Sequence, residues 1–326
     1  MRHRHTFSYI LPILIGGLFA CSGKKAETPE ESGKQENVFS VNSNYKLPAG
    51  FDLQGHRIAR GLASENSLFA IPFALEIPEL TTLEMDVCIT KDKKVIISHE
   101  PWMSSENCDH PNDDRVMAYE EEKIRLYDMT YEMIREYRCG GHYNPRFPKQ
   151  RIKYEKKPLL DSMIIAVKKY CESNDRPLPR FSIEIKSNED WDNFYTPVPD
   201  EFARLVVEVI TRNGILDNVL IQSFDPRSLE AVHRINPDIP LALLSNAGAD
   251  WEADRKKLSF TPAVYSPEYK GVNAKLAEAV HASGVKLVPY TVNDSLSIVK
   301  VIESGSDGII SDYPNTVVNI MKLYRK

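Results

Sequence analysis

Thr82-Leu83-Glu84-Met85-Asp86-Val87 is the stretch whose reading decides the architecture. In an extended chain residues i and i+2 share a face, so Glu84 and Asp86 point together and Met85 points away. A second run, Arg180-Phe181-Ser182-Ile183-Glu184-Ile185-Lys186, places Glu184 and Lys186 together in the same way. Both read as strands with a polar face, while Met85 and Ile185 face surrounding helices. Working outward, further short apolar runs occur at Leu53–Arg57, Asn218–Ser223, Leu241–Ser245, Ala263–Ser266, Lys286–Tyr290 and Gly308–Ser311. Amphipathic segments lie between them near 67–76, 158–174, 200–213, 226–236, 250–258, 273–283 and 294–304. This alternation predicts an α/β fold of parallel strands with crossover helices. Eight strands predict a closed (β/α)8 barrel, the TIM barrel, with an open doubly wound sheet as the alternative.

The rhythm breaks between residues 101 and 157. That segment holds Asp109, Asp113, Asp114, a Glu120–Glu122 run, a short helical pattern over Thr130–Tyr137, and the loop-forming Gly140-Gly141-His142-Tyr143-Asn144-Pro145. Long insertions of this kind are commonly lids or binding elements, so it is expected to lie over the strand ends. The alternative is a solvated decoration.

The N-terminus reads separately. Arg2 and Arg4 precede a short apolar run, Tyr9–Ala20, too short for a mature membrane span. Leu18-Phe19-Ala20-Cys21 has the form of a bacterial lipobox. The expectation is a signal peptide over 1–20, a lipidated Cys21 and a flexible tether over 21–47, with the barrel domain over 48–326; the alternative is an ordinary secretory signal that happens to contain a cysteine. A tether of about 26 residues has a reach of roughly 25–30 Å. The chain would then be anchored by lipid in the bacterial cell envelope, on the periplasmic side or at the outer membrane surface. Removing residues 1–20 deletes two arginines and moves the formal charge from −5 to −7. That acidity argues against nucleic acid as the main partner. Of the remaining cysteines, Cys108 and Cys139 are the expected disulfide, and Cys88 is expected as a buried thiol.

Adjacent carboxylates on one face raise each other's pKa unless a cation lies between them. Glu84, Asp86 and Glu184 together suit a hard divalent ion with oxygen ligands, Ca²⁺ or Mg²⁺. The alternative is a solvated strand end paired with Lys186 or Arg57. His56 and His99 each end a candidate strand, and such a pair can supply one proton acceptor and one proton donor. Arg57 follows His56 directly, so it must stand where the strand turns into its loop if it is to reach the same pocket. His142 is expected at the surface, with the pocket as the alternative, and His110, His233 and His281 are expected at the surface.

These segments resemble the glycerophosphodiester phosphodiesterase family, a (β/α)8 barrel related to phosphatidylinositol-specific phospholipase C. The matching residues are His56-Arg57, Glu65-Asn66, Glu84-Met85-Asp86-Val87 with Thr90-Lys91-Asp92, His99, and Glu184-Ile185-Lys186. Gln222-Ser223-Phe224-Asp225, Thr291-Val292-Asn293 and Asp307–Pro314 follow in order. The departures are Ile58 for Gly, Ser64 for Pro, Ser67 for Thr, Lys93 for Gly, Glu100 for Asp and Tyr290 for Trp. Ile58 and Tyr290 are expected to reshape the pocket.

The resemblance implies hydrolysis of glycerophosphodiesters to glycerol 3-phosphate and an alcohol. It implies one divalent cation on Glu84, Asp86 and Glu184, an acid/base pair of His56 and His99, and a phosphate clamp of Arg57 and Lys186. Glu65 would orient His56 or Arg57, while Tyr290 and Asn293 would touch the glycerol or head group. Two other readings stay open: an enzyme acting on lysophospholipids or membrane lipids, and a catalytically silent surface lipoprotein that binds phosphorylated ligands.

Overall fold

The computed structural model of the chain describes residues 40–324, apart from 43 and 247. Eight parallel strands form the centre: β1 (Asp52–Gly55), β2 (Thr82–Ile89), β3 (Arg180–Ile185), β4 (Val219–Ser223), β5 (Leu241–Ser245), β6 (Val264–Pro267), β7 (Lys286–Leu287) and β8 (Gly308–Ser311). Each pairs with its neighbour in chain order, and β1 also pairs with β8 from Asp52↔Gly308 to Gly55↔Ser311. Backbone hydrogen bonds from Asp307 N to Leu287 O (2.8 Å), Ile310 N to Pro289 O (3.0 Å) and Val292 N to Ile310 O (3.0 Å) join the β7 segment to β8. The chain is therefore a (β/α)8 TIM barrel. Only Lys286 and Leu287 form regular ladder in β7, where Lys286–Tyr290 was expected, because Pro289 has no N–H to donate.

The barrel helices are α1 (Ile71–Leu75), α2 (Leu160–Ser173), α3 (Pro199–Arg212), α4 (Pro226–Ile235), α5 (Trp251–Asp254), α6 (Ala274–His281), α7 (Ser295–Glu303) and α8 (Pro314–Met321). Their starts are written locally. Pro opens α3, α4 and α8, where a missing N–H costs nothing. Asp225, Asn273 and Asp294 cap α4, α6 and α7 by accepting from backbone N–H groups. Helix α8 was absent from the sequence expectation, although Pro314 and the buried Val317, Val318, Ile320 and Met321 mark it. Among the described residues, no helix is long and apolar enough to cross a membrane.

Two packing layers follow from the strand period. Met85, Val87, Ile183 and Ile185 point outward and join the helices in the largest apolar cluster. Leu220, Ala242, Val264, Val288 and Ile310 fill the barrel interior, with Tyr290 packed against them. Gly308 is required where β8 crosses β1, since a Cβ there would overlap the Asp52 carbonyl oxygen.

The expected signal, Cys21 and the tether as far as residue 39 lie outside the described residues. Val41, Tyr45 and Leu47, placed by the sequence reading in the tether, pack against the cluster formed by Phe51, Leu53, α7 and α8. Tyr45 stands edge-on to Tyr324 with ring centroids 5.9 Å apart.

After β2 the chain turns back through a short antiparallel strand, Val95–Ile97, and enters the insertion. The expected disulfide forms between Cys108 and Cys139, which also face each other across a two-residue antiparallel ladder. Cys88 is a buried free thiol, as expected. His142 departs from expectation: its side chain is only 7% exposed and its Nε2 lies 2.7 Å from Asp109 Oδ1. It is half-buried and does not line the pocket described below, because the insertion folds on itself around that hydrogen bond.

Candidate active site

At the C-terminal ends of the barrel strands a cavity of about 280 Å³ opens between His56, His99, Glu84, Glu184, Lys186 and Tyr290. Strand ends on this face are where barrels of this architecture build their sites. The end of β1 explains how His56 and Arg57 both reach it. Arg57, Ile58 and Ala59 have φ of 48°, 70° and 87°, three consecutive left-handed residues without a glycine. This costly turn is characteristic of functional loops. It reverses the chain so that Arg57 faces the pocket with His56 instead of pointing away. Its backbone N–H donates to Glu84 Oε2 (2.7 Å) and its Nη1 to Glu65 Oε1 (3.0 Å). Glu65 thus orients Arg57, and it also lies 3.6 Å from Arg60. Ile58 is fully buried in the helix-facing core and does not line the pocket, contrary to expectation. The turn sends its side chain outward while Arg57 goes in. Tyr290 does line the pocket, its hydroxyl donating to Ser245 O (3.0 Å).

Glu84, Asp86 and Glu184 are buried, with one oxygen of each lying within 4.8 Å of the others. β2 and β3 place them there through the pairs Glu84↔Ser182 and Asp86↔Glu184. Burial, with Asp86 beside it, pushes the Glu84 carboxyl well above the usual carboxylate range. Burial also raises Glu184, despite Lys186 Nζ at 2.9 Å. Burial works against the charge of Asp86 too, but His99, Lys186 and Arg57 outweigh it and hold that carboxyl well below its ordinary value. Asn66 Nδ2 donates to Asp86 Oδ2 (2.8 Å) and Gln222 Nε2 to Glu84 Oε1 (2.9 Å). Asp86 Oδ1 is buried without a hydrogen-bond partner among the described residues. Three converging carboxylates, one with an unused buried oxygen, fit a hard divalent cation.

Each histidine is backed by a carboxylate. His56 Nδ1 lies 2.7 Å from Asp312 Oδ1, and His99 Nδ1 lies 2.6 Å from Glu100 Oε1. When Nδ1–H donates to the carboxylate, the Nε2 lone pair is the one left for chemistry. Burial lowers the His56 pKa more than Asp312 raises it, so the neutral ring is favoured. The Glu100 carboxyl falls to about 2, because its bond to His99 overcomes the burial that opposes its charge. Arg60 clamps Asp312 through Nε to Oδ1 (2.9 Å) and Nη2 to Oδ2 (3.1 Å). Asn293, expected to touch substrate, instead donates to Asp312 Oδ2 (2.7 Å) and accepts from its backbone N–H (2.9 Å). The strands around the closure of the barrel bring Asn293 behind the Asp312–His56 pair.

The structure therefore gathers His56, Arg57, Glu84, His99, Glu184, Lys186 and Tyr290 around one cavity, with Glu65 and Asp86 behind them against Arg57 and Lys186. Sequence reasoning missed the roles of Asp312, Gln222 and Arg60. A polar residue inside the apolar run 218–223 was the available signal for Gln222, and a carboxylate just past the last strand was the signal for Asp312.

The sequence model of the glycerophosphoryl diester phosphodiesterase family matches residues 56–316. A glycerophosphodiester phosphodiesterase of Bacillus altitudinis is 27% identical over 267 residues, covering 81% of this chain and 96% of that protein. Among solved structures, a candidate glycerophosphoryl diester phosphodiesterase from Silicibacter pomeroyi superposes with a TM-score of 0.74 at 25% identity, covering 85% of this chain and 95% of that one. A phosphodiesterase from Oleispira antarctica, solved in complex with its product sn-glycerol-3-phosphate, superposes with a TM-score of 0.65 at 20% identity, covering 85% and 97%. With the family match running from His56, just after β1, into α8 and taking in every residue of the site, the chain belongs to the glycerophosphoryl diester phosphodiesterase family and is a phosphoric diester hydrolase.

Proposed function

We propose that this protein hydrolyses glycerophosphodiesters to glycerol 3-phosphate and a free alcohol, with one Ca²⁺ or Mg²⁺ held by Glu84, Asp86 and Glu184. The observation that carries this reading is the pairing of two carboxylate-backed histidines with three buried carboxylates around one cavity. The product seen in the Oleispira antarctica relative supports the substrate class. When bound, the cation would polarise the phosphoryl oxygens and neutralise developing charge.

The chain's own residues do the rest. Arg57 and Lys186 line the cavity and are held by inner carboxylates, so they present fixed positive charge to the diester oxygens. One histidine Nε2 accepts the proton of the attacking hydroxyl, from water or from the substrate's glycerol. The other donates a proton to the departing alcohol as its bond to phosphorus breaks. Asp312 and Glu100 keep both rings in the tautomer this exchange needs.

The test is release of glycerol 3-phosphate from glycerophosphocholine and glycerophosphoethanolamine by purified protein. It is run after chelation and again after return of Ca²⁺ or Mg²⁺. Restored release by one ion supports the reading and names the ion; no release with either sinks it. The lipobox-like Leu18-Phe19-Ala20-Cys21 supports anchoring in the bacterial envelope. Cys21→Ser should then move the protein from the membrane fraction to the soluble fraction, and unchanged fractionation would reject the anchor.

A further inference from the structure

Among the described residues of the insertion, Arg146 is the side chain that lines the catalytic cavity. Its place is built from the site outward. The neighbouring Phe147 is buried, with the Arg60 guanidinium 4.6 Å from its ring centre. Gln150 Nε2 donates to Arg60 O (2.6 Å), and the Tyr313 hydroxyl donates to Arg146 O (3.4 Å). Arg60 and Tyr313 adjoin Asp312 through a bond and through the chain, so the turn carrying Arg146 is docked on the loops that hold His56.

The pocket cations divide into two kinds. Arg57, Arg60 and Lys186 pair with Glu65, Asp86, Asp312 and Glu184, whose side chains are 18%, 1%, 1% and 10% exposed. Those carboxylates fix all three in place. Arg146 pairs with Glu106 at 2.5 Å, and the two side chains are 59% and 63% exposed. Asn144 Oδ1 accepts from its Nε at 3.4 Å. These contacts use Nε and Nη2 of a group with five N–H donors, and solvated pairs of this kind exchange readily.

Arg146 lines the same cavity as His56, His99, Glu84 and Glu184, so a diester bound there has one of its substituents within reach of the Arg146 guanidinium. We propose that Arg146 is a specificity-determining residue that favours glycerophosphodiesters whose leaving alcohol carries an anionic group, a carboxylate or a second phosphate. The planar guanidinium fork matches either group. This inference rests on the hydrolase reading above.

The test compares glycerophosphoserine with glycerophosphoethanolamine, whose head groups differ by one carboxylate. Wild-type kcat/KM should favour the serine compound, chiefly through KM, by roughly tenfold, the range of one charge-assisted hydrogen bond at a partly solvated site. Arg146→Met should collapse that ratio toward one, Arg146→Lys should restore part of it, and Arg146→Glu should invert it. Equal ratios in wild type and Arg146→Met, or a wild-type preference for the ethanolamine compound, overturn the inference while leaving the hydrolase reading intact. Failure of the wild type on every diester tested, with either cation, overturns both. Melting curves of all variants separate a lost fold from a lost preference.

Discussion

His56 Nδ1 and Asp312 Oδ1 lie 2.7 Å apart although 256 positions separate the residues along the chain. The pairing of β1 with β8 makes this contact. His56 follows the last residue of β1 and Asp312 follows the last residue of β8, so closing the barrel sets imidazole against carboxylate. Asp312 is itself fixed by Arg60 and Asn293. Its carboxyl is held well below the usual carboxylate range, since His56 and Arg60 outweigh the burial that opposes its charge.

Asp312→Asn should therefore lower kcat by roughly a hundred- to ten-thousandfold, the range for removing a carboxylate that sets a catalytic tautomer. Steady-state kinetics on a variant with wild-type-like circular dichroism checks this. A kcat within threefold of wild type would show that Asp312 does not orient His56.

The acid limb of kcat/KM should fall below the ordinary histidine value. Burial depresses the folded His56 pKa, so this ring stays neutral to lower pH than a free imidazole. The linked stability has a definite sign. The unfolded state binds the proton more readily, so the contribution of His56 is present above pH about 6.5 and is lost as pH falls through the folded pKa. Removing Asp312 takes away the group that opposes this depression and should move the limb lower still. A limb that moves upward in Asp312→Asn would contradict the electrostatic account.

Adding Ca²⁺ or Mg²⁺ to chelated protein should raise Tm and release protons. Burial together with Asp86 raises Glu84 well above its ordinary pKa, so its charge is disfavoured in the metal-free site. Ligand at about 100 times its Kd adds about 2.7 kcal/mol of stability. Titration in weakly buffered solution and thermal melting at pH 5 and 8 provide the measurement. The stabilisation should be larger at pH 8, where fewer protons compete.

Ile58→Gly should destabilise the fold by up to about 4 kcal/mol while leaving KM nearly unchanged. Losing a buried isoleucine side chain costs about 2–5 kcal/mol, and relief of a left-handed φ of 70° returns about 1–2 kcal/mol. A KM shift of tenfold or more would place the side chain in the pocket after all.

Opening the Cys108–Cys139 bridge with Cys108→Ser should cost about 3–4 kcal/mol, the loop-closure value for a sequence separation of 31. The loss should appear first as faster proteolysis within residues 101–157, because the bridge closes a loop of the insertion. Cleavage that begins in the barrel helices would refute that assignment.

Much of this protein was legible in its sequence, and the division has a physical basis. Strand and helix periods, Pro at N1 and Asx caps act over a few residues, so the strands expected over Thr82–Val87 and Arg180–Lys186 announce themselves, the first running on to Ile89 and the second ending at Ile185, as do the starts of α3, α4, α6 and α7. The two-residue strand period also places Glu84 with Asp86 without any knowledge of the fold. The ladder between β2 and β3 then decides that Glu184 joins them. Only tertiary structure supplies Asp312 behind His56, turns Asn293 from a pocket residue into a support, and docks Arg146 over the cavity. Those contacts join segments whose proximity is set by barrel closure and by the insertion packing on Arg60. Neither event leaves a local pattern in the chain, because each depends on the simultaneous burial of distant apolar faces.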